Sequence, residues 1–356
     1  MPRVAGLDPG TVSFDLCVLR DGEPVLERVF DTGLLREDSG PLLETLARHG
    51  PYDLLYGPSG YGLPLVAAAD VGERELAEMV LVRPDQAHAD TGVGGMRSLL
   101  RALARSGLPV VFGPGVIHLP SVPRHRKYNR IDLGTADKVC AAAYAIADQS
   151  ARRAIAPGQT AMVLLELGGA FTAAVAIAEG QIVDGVGGSS GPLGVRAAGA
   201  LDGELAYLLG PALRKETLFT GGALDPGGAL QVSDLRALWS APAHADGWTA
   251  LLEAAAKAVR ALTVSVPAPH EIVVSGRLAR VPQVVAALAA ALEDLAPVIA
   301  LVPGRASAAA HGGALLADAL AGGRHAVLAE ILKLRESSGT ALDHLRVAGS
   351  DSIVLG

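Results

Sequence analysis

One pattern occurs twice in this chain. An apolar strand runs into a glycine turn, a second strand leaves it, a tight hairpin follows, and a third strand completes the unit. In the first copy, Arg3-Val4-Ala5-Gly6-Leu7 ends at Asp8-Pro9-Gly10-Thr11, Ser13 to Leu19 follows, Asp21-Gly22 turns, and Pro24 to Phe30 returns. In the second, Ala161 to Leu167 ends at Gly168-Gly169, Phe171 to Ala178 follows, Glu179-Gly180 turns, and Gln181 to Val186 returns. The copies lie roughly 160 residues apart and share little sequence, so the layout is what is duplicated. A duplication of this kind predicts two domains facing one another across a cleft. With 356 residues to divide, the cut falls between 1–150 and 151–356.

Between the copies, helical and apolar segments alternate. Leu42 to Arg48, Glu73 to Met79 and Gly95 to Arg105 read as helices; Leu54 to Tyr56, Val80 to Val82 and Pro109 to Phe112 read as strands. Alternation of this sort implies an α/β fold whose sheets have parallel members and covering helices. A strong helix signal runs from Thr135 to Gln149. After the second copy come a Gly/Ser loop at 187–194, an irregular stretch at about 211–247 and a helix at 249–263. The strand Glu271 to Ser275 precedes alanine-rich helices that include Arg305 to Ala321 and Ala326 to Arg335. Aromatics make up only 4% of the chain, so the cores must be built from Ala, Val, Leu and Ile.

Charge and cysteine usage exclude several classes. A net charge of −7 argues against non-specific binding to nucleic acid or anionic lipid. Cys17 and Cys140 sit among apolar residues without metal-like spacing and read as buried thiols. The most apolar late stretch, Val281 to Val302, carries Glu293, Asp294 and a proline, and reads as helix plus buried strand rather than a membrane span. No basic segment followed by an apolar run opens the chain, so a cytoplasmic location is expected. There is no Gly-Lys dipeptide for a Walker-type loop, no dinucleotide fingerprint in context and no Cys/His cluster.

What remains points to phosphate. A phosphate group needs closely approaching backbone N–H donors, which favours Gly beside Ser or Thr, and a carboxylate to hold magnesium directly or through water. Asp8-Pro9-Gly10-Thr11 followed by Ser13 supplies these at the end of the first strand, although Asp-Pro-Gly alone is also an ordinary turn. Glu166-Leu167-Gly168-Gly169-Ala170-Phe171-Thr172 supplies a carboxylate, paired glycines and a threonine at the matching junction. At Val274-Ser275-Gly276-Arg277 an apolar strand ends in small residues that can lie flat against a purine or ribose, or simply turn the chain. Asp132, Asp137 and Lys138 gather around the helix start at Gly134-Thr135. The two aspartates suit either helix capping or catalysis there. Arg124, His125, Arg126, Lys127 and Arg130 form one dense basic cluster in an acidic protein, and Arg130 is expected to face the cleft.

In this order, Asp8-Pro9-Gly10-Thr11, Asn129 to Lys138, Glu166-Leu167-Gly168-Gly169, Val274-Ser275-Gly276-Arg277 and Ala309-Ala310-His311-Gly312-Gly313-Ala314 resemble the superfamily of acetate and sugar kinases, heat-shock chaperones and actin. Within it the set is similar to the predicted butyrate kinase family, over about residues 3 to 320. The resemblance implies two duplicated ribonuclease H-like domains closing over ATP and magnesium in an interdomain cleft. It maps phosphate turn one to Asp8, Gly10 and Thr11, with Ser13 beside them. Phosphate turn two maps to Gly168, Gly169 and Thr172, and the adenosine turn to Ser275, Gly276 and Arg277. Asp8 and Glu166 would manage magnesium, Glu166 standing where many relatives have Asp. The helices from Gly134 and Ala306 would be the connecting helices at the hinge.

The activity implied is transfer of phosphate from ATP to a small-molecule substrate, a short-chain carboxylate such as butyrate. Arg130 and Lys138 would neutralise charge, and Asp132 or Asp137 would position reactants. Two other readings stay open: a nucleotide-dependent switch or scaffold of the actin and chaperone type, and a hydroxyl kinase using Asp132 as general base. The resemblance leaves a homodimer open, although no exposed apolar stripe calls for one.

Overall fold

The computed structural model describes residues 2–57, 60–86, 93–225 and 235–356. Its first sheet contains β1 (Arg3–Pro9), β2 (Ser13–Arg20), β3 (Glu23–Asp31), β4 (Leu54–Gly57), β5 (Val66–Ala67) and β6 (Val110–Phe112), in the spatial order β3-β2-β1-β4-β6-β5. The second contains β7 (Met162–Leu167), β8 (Thr172–Ala178), β9 (Gln181–Val186), β10 (Glu271–Ser275) and β11 (Val298–Ala300), in the order β9-β8-β7-β10-β11. The two orders superpose strand for strand, apart from the extra edge strand β5. In each sheet the hairpin strands are antiparallel and the strands that follow are parallel, except β5, which pairs antiparallel with β6.

The duplication reaches the level of single residues. Asp8 pairs with Asp15 across the first hairpin and Glu166 with Ala173 across the second, a constant offset of 158 (166 less 8, 173 less 15). The same offset relates the irregularities at Val18/Leu19 and Ala176/Ile177. It also relates the two hairpin turns, where Asp21 and Gly22 (φ 57° and 79°) answer to Glu179 and Gly180 (φ 52° and 71°).

The molecule is built in five layers. Helices Thr32–Glu37, Gly40–His49, Glu73–Val80 and Val93–Arg105 cover the outer face of the first sheet, over a core containing Leu42, Leu46, Leu76, Leu99 and Leu103. Helices Ala245–Leu262 and Pro282–Ala291 cover the outer face of the second, over Trp248, Leu251, Val259 and Leu288. Between the sheets lie helices Ala136–Arg153 and Ala308–Leu320, which share one core with inward-facing residues of both sheets.

Small residues make that middle layer thin. A side chain on Gly312 would collide with the Cys140 carbonyl, and one on Gly6 would collide with the backbone of Ala310 and Ala314. The chain crosses over here. Ala308–Leu320, late in sequence, packs on β1, β2 and β4 of the first sheet, while Ala136–Arg153 packs against β7 and β8 of the second. Residue 150 lies within the Ala136–Arg153 helix, and each half of the sequence lends a helix to the other's sheet.

One expected strand is a helix end instead. Val80 closes the Glu73–Val80 helix, and Leu81 caps it in left-handed conformation (φ 50°), giving its N–H to the Ala77 carbonyl. The apolar run Val80 to Val82 is buried as a helix terminus, and the place beside β6 is taken by β5. The stretch expected to be irregular contains the short helix Leu235–Ser240; its residues 226–234 lie outside the described residues.

Candidate functional site

Both glycine turns open into one cavity of about 800 Å³ between the two sheets. Asp8, Gly10, Thr11 and Ser13 line it from the first turn, Glu166, Gly168 and Gly169 from the second, and Gly276 and Arg277 from the end of β10. The turns are close neighbours. A methyl group on Gly169 would lie 3.0 Å from Cγ2 of Val12 and 3.1 Å from Cδ of Arg277. Gly276 (φ 84°) packs so tightly on the end of β7 that a side chain there would strike the Leu167 carbonyl. At Gly276 glycine is required because backbone meets backbone at positive φ, whereas Gly169 leaves room for the side chains of Val12 and Arg277.

Each turn is braced from behind. Thr32 donates its hydroxyl to the Gly10 carbonyl at 2.8 Å, and the Gly168 N–H donates to the Phe171 carbonyl at 2.9 Å. Both middle-layer helices begin at the cavity wall, with Thr135, Asp137 and Lys138 from one and Ser307 and Ala308 from the other among its lining. Two positive dipole ends therefore face a space already ringed by glycine turns, a setting suited to an anion.

The side chains at the centre are acidic, with one lysine among them. Lys138 donates to Asp137 Oδ2 at 2.5 Å and to Glu166 Oε1 at 2.7 Å, joining the first linking helix to the second turn. Thr135 donates to the other Asp137 oxygen at 2.5 Å. Burial opposes ionisation of Asp137, but the Lys138 ammonium and the Thr135 hydroxyl outweigh it and hold the carboxyl below its usual range. Burial also opposes the charge on Lys138, and the two carboxylates outweigh it, raising the ammonium's pKa.

Asp8 has no such partner. Burial, then Asp137 and Asp15, push its carboxyl well above the usual range. Among the described residues its one side-chain hydrogen bond is from Ser307, whose hydroxyl donates to Oδ2 at 2.6 Å. The same hydroxyl accepts from the Ala310 N–H at 3.0 Å as the helix cap, while the Ser307 N–H donates to Asp15 Oδ2 at 2.7 Å. Asp15 Oδ1 is buried without a hydrogen-bond partner.

This surplus of negative charge around Asp8 suits one divalent cation. Among the described residues no group of three or more His, Cys, Asp or Glu side chains is arranged to hold a metal. A cation here would take one or two carboxylates and complete its shell with phosphate oxygens and water, as magnesium does.

The sequence-derived residues do not all come together. Ser275 and Thr172 are fully buried behind the turns and do not line the cavity; the 158-residue offset places Gly169 opposite Thr11 and Phe171 opposite Ser13. Glu166 is at the cavity wall, but one of its oxygens is taken by Lys138. Asp132 lines the cavity with both oxygens engaged: Oδ1 accepts from the Gly134 N–H at 3.1 Å, and Oδ2 from the Ser189 N–H and hydroxyl at 2.9 and 2.8 Å. It ties the 187–194 loop, of which Gly188 reaches the cavity, to the start of the linking helix.

Arg130 is a correction. It is exposed and absent from the cavity wall because its segment is spent on packing. Arg126 donates to the Val183 carbonyl at 2.7 Å and pairs with Asp184, and Lys127 is buried, donating to the Leu119 carbonyl at 2.9 Å. The cavity's basic residues come from elsewhere: Arg196, Lys215, Arg277, Arg280 and Arg305. Sequence reasoning named Arg277, at the expected adenosine turn, and missed the other four and Ser307. Only Ser307 left a signal, a serine directly before an alanine-rich helix, which is an N-cap pattern.

His311 is buried beneath the first sheet, between Cys17 (3.6 Å) and Glu27 (3.6 Å). Glu27 also accepts from the Arg305 N–H and, at 2.7 Å, from the Ala306 N–H, fixing the backbone just ahead of Ser307.

Two sheets of matching order, exchanged central helices and a cleft between glycine turns define a class. The chain shares its fold with acetate and propionate kinases of known structure. A propionate kinase from Francisella tularensis subsp. tularensis SCHU S4 is similar at TM-score 0.62 and 11% identity, covering 88% of this chain and 98% of the other. An acetate kinase from Entamoeba histolytica is similar at TM-score 0.55 and 13% identity, covering 82% and 86%. One from Porphyromonas gingivalis is similar at TM-score 0.52 and 16% identity, covering 78% and 84%. The chain belongs to the family described as "Protein of unknown function (DUF1464)", whose model matches residues 6–347. No curated protein sequence matches it. Among the described residues no helix is long and apolar enough to cross a membrane.

Proposed function

We propose that this chain is an ATP-dependent phosphotransferase whose acceptor is a small carboxylate, butyrate or a near relative, converted to an acyl phosphate. The observation that carries the reading is the pair of glycine turns, related by a constant offset and opening into one cavity that two helix N-termini also reach. Gly10, Thr11 and Ser13 would cradle one phosphate and Gly168 and Gly169 the next, while Gly276 and Arg277 would lie against the adenosine. Asp8 would hold magnesium, which when bound screens the charge on the transferred phosphate and its neighbour.

With Asp8 assigned to magnesium, the state of Asp132 and Asp137, the two aspartates expected to position reactants, favours a carboxylate acceptor over a hydroxyl. A hydroxyl needs a base with a free oxygen and a pKa near the working pH. Asp132 has both oxygens hydrogen-bonded, and Lys138 depresses Asp137. A carboxylate is already ionised at neutral pH and needs neither. One of its oxygens forms a bond to the γ-phosphorus, the bond from that phosphorus to the bridging oxygen breaks, and the electron pair leaves on ADP; no proton moves. Lys138, held between Asp137 and Glu166, would meet the charge on the transferred group. The resemblance to acetate and propionate kinases supports the same reading, and a closed cleft would keep water from the phosphate.

The test is an acyl-hydroxamate assay with ATP, magnesium, hydroxylamine and a panel of short acids, run beside binding of a non-hydrolysable ATP analogue. Hydroxamate formation supports the reading. Intact analogue binding with no hydroxamate from any acid rejects the carboxylate and returns the hydroxyl acceptor or the switch.

A further inference from the structure

The cavity wall includes an apolar and aromatic group that has no role in the reading above. Arg277, Arg280 and Arg305 belong to the end of β10 and the segment before Ser307. Tyr61, Met79 and Val80 from the first half and Phe219 from the second also line the cavity. Tyr61 gives its N–H to the Met79 carbonyl at 3.0 Å, and Phe219 meets Phe171, beside the second turn, ring edge to ring face at 5.0 Å. The Gly60 carbonyl accepts from the Ala136 N–H at 2.9 Å, which sets this apolar group against the start of the linking helix carrying Asp137 and Lys138.

One cation stands there. Lys215 comes from the second half and donates to the Tyr61 hydroxyl at 3.0 Å, with its ammonium 4.5 Å from the Tyr61 ring centre. Two other cavity cations are matched by carboxylates, Lys138 by Asp137 and Glu166 and Arg196 by Asp225 at 3.2 Å, while Arg277, Arg280 and Arg305 lie around the end of β10 and the segment before Ser307. Among the described residues Lys215 has no carboxylate within ion-pair distance; its neighbour Glu216 lies near Arg214 and accepts from Gln86 at 3.2 Å. An ammonium has three donors, and Tyr61 uses one.

We propose that Lys215 and the wall of Tyr61, Met79, Val80 and Phe219 form the acceptor subsite, and that it takes a monocarboxylate with a branched or extended apolar tail in preference to acetate. This rests on the phosphotransferase reading and names the acceptor within it. Lys215 holds one carboxylate oxygen and leaves the other toward Lys138 and the transferred phosphate. The apolar wall removes the tail from water, each added methylene gaining up to a few-fold in affinity. Because Lys215 reaches Tyr61 from the opposite half, the acid would be gripped where the two halves meet.

The experiment is calorimetric titration of the full chain with 3-methylbutyrate and with acetate, with and without a saturating non-hydrolysable ATP analogue. Binding of 3-methylbutyrate at least tenfold tighter than acetate is expected. Lys215→Met, which keeps the apolar stem, should lower acid affinity tenfold or more and leave analogue affinity unchanged, and Lys215→Arg should recover part of the loss. Equal binding of the two acids, no acid binding at all, or an unaffected Lys215→Met overturns the subsite. If hydroxamate still forms in any of these cases, the phosphotransferase reading stands alone. If instead the analogue fails to bind, that reading falls, and the titration without nucleotide still decides the place of Lys215.

Discussion

The two glycine turns share a backbone and differ in chemistry. Each lies at the end of the first strand of its unit, and in each the carbonyl three residues after the glycine packs against it, Ser13 on Gly10 and Phe171 on Gly168. The side chains have diverged. The first turn is polar: Asp8, Thr11 and Ser13, with Ser307 and Asp15 behind Asp8. At the equivalent places the second carries Glu166, Gly169 and Phe171, with Ala173 in place of Asp15. Its glycine lies under Arg277, its phenylalanine reaches Phe219, and its carboxylate is neutralised by Lys138. Duplication thus supplied two matching turns, and divergence left a carboxylate bonded to a hydroxyl in one and a carboxylate bonded to Lys138 in the other.

That division makes Asp8 and Glu166 unequal despite their matching positions. Asp8→Asn removes the carboxylate proposed to hold magnesium, and kcat/KM is expected to fall on the order of 10³-fold, the size seen when a directly acting charge-stabilising group is lost. Glu166→Gln acts through Lys138, which keeps Asp137, so a loss of roughly 10–100-fold is expected, as for groups that orient a ligand rather than touch the reaction. Steady-state kinetics on the two variants decide it. A larger loss at Glu166 would invert the assignment and put the cation on the second turn.

The backbones, in contrast, should respond alike. A Cβ on Gly10 would lie 2.7 Å from the Ser13 carbonyl oxygen, and one on Gly168 would lie 2.9 Å from that of Phe171. Neither carbonyl can retreat without opening its hairpin, so Gly10→Ala and Gly168→Ala should each weaken binding of an ATP analogue about tenfold, ~1.4 kcal/mol. Unequal losses, measured by equilibrium binding, would mean that one cradle contributes little to the nucleotide.

How much of this was legible in the sequence follows the same division. The repeat could be read because a glycine turn between two apolar strands is local: Gly10, Gly22, Gly168 and Gly180 each mark their own turn. The exchange of central helices could not, since it depends on which faces meet in space; Gly312 and Gly313, within an alanine-rich run, mark where the two central helices touch and where helix meets strand. Thr172 and Ser275 misled because a hydroxyl next to a glycine turn looks the same whether it faces the cavity or the core. The strand expected at Val80 to Val82 failed because a short apolar run suits a buried helix end as well as a strand. Lys215 lies in a segment without periodicity, and only tertiary contact with Tyr61 reveals it.

Ser307 offers a finer test of why the first turn stays charged. Its hydroxyl both caps a helix and donates to Asp8, and substitution can separate the two. Glycine is tolerated at an N-cap at a cost of only a few tenths of a kcal/mol. Ser307→Gly should therefore leave Tm nearly unchanged while raising the magnesium concentration for half-maximal ATP binding roughly fivefold, about 1 kcal/mol for one hydrogen bond to a carboxylate. Ser307→Thr keeps both contacts and should restore the parent value. An altered Tm with an unaltered magnesium requirement would reduce Ser307 to a helix cap.

The smallest effect is expected at Arg130. Sequence places it directly before the linking helix, in the densest basic cluster of the chain, yet it is exposed and outside the cavity wall. An exposed cation acting across water and salt contributes little. Arg130→Ala should leave the KM for ATP and for the acid within about twofold of the parent, less than the ~0.4 kcal/mol that such a ratio represents. A tenfold rise in either KM would show that the 124–130 segment closes onto the cleft during turnover. The acceptor's charge would then be shared between Arg130 and Lys215, one from each half, and the contrast between a charged first turn and a neutralised second would extend to the walls around them.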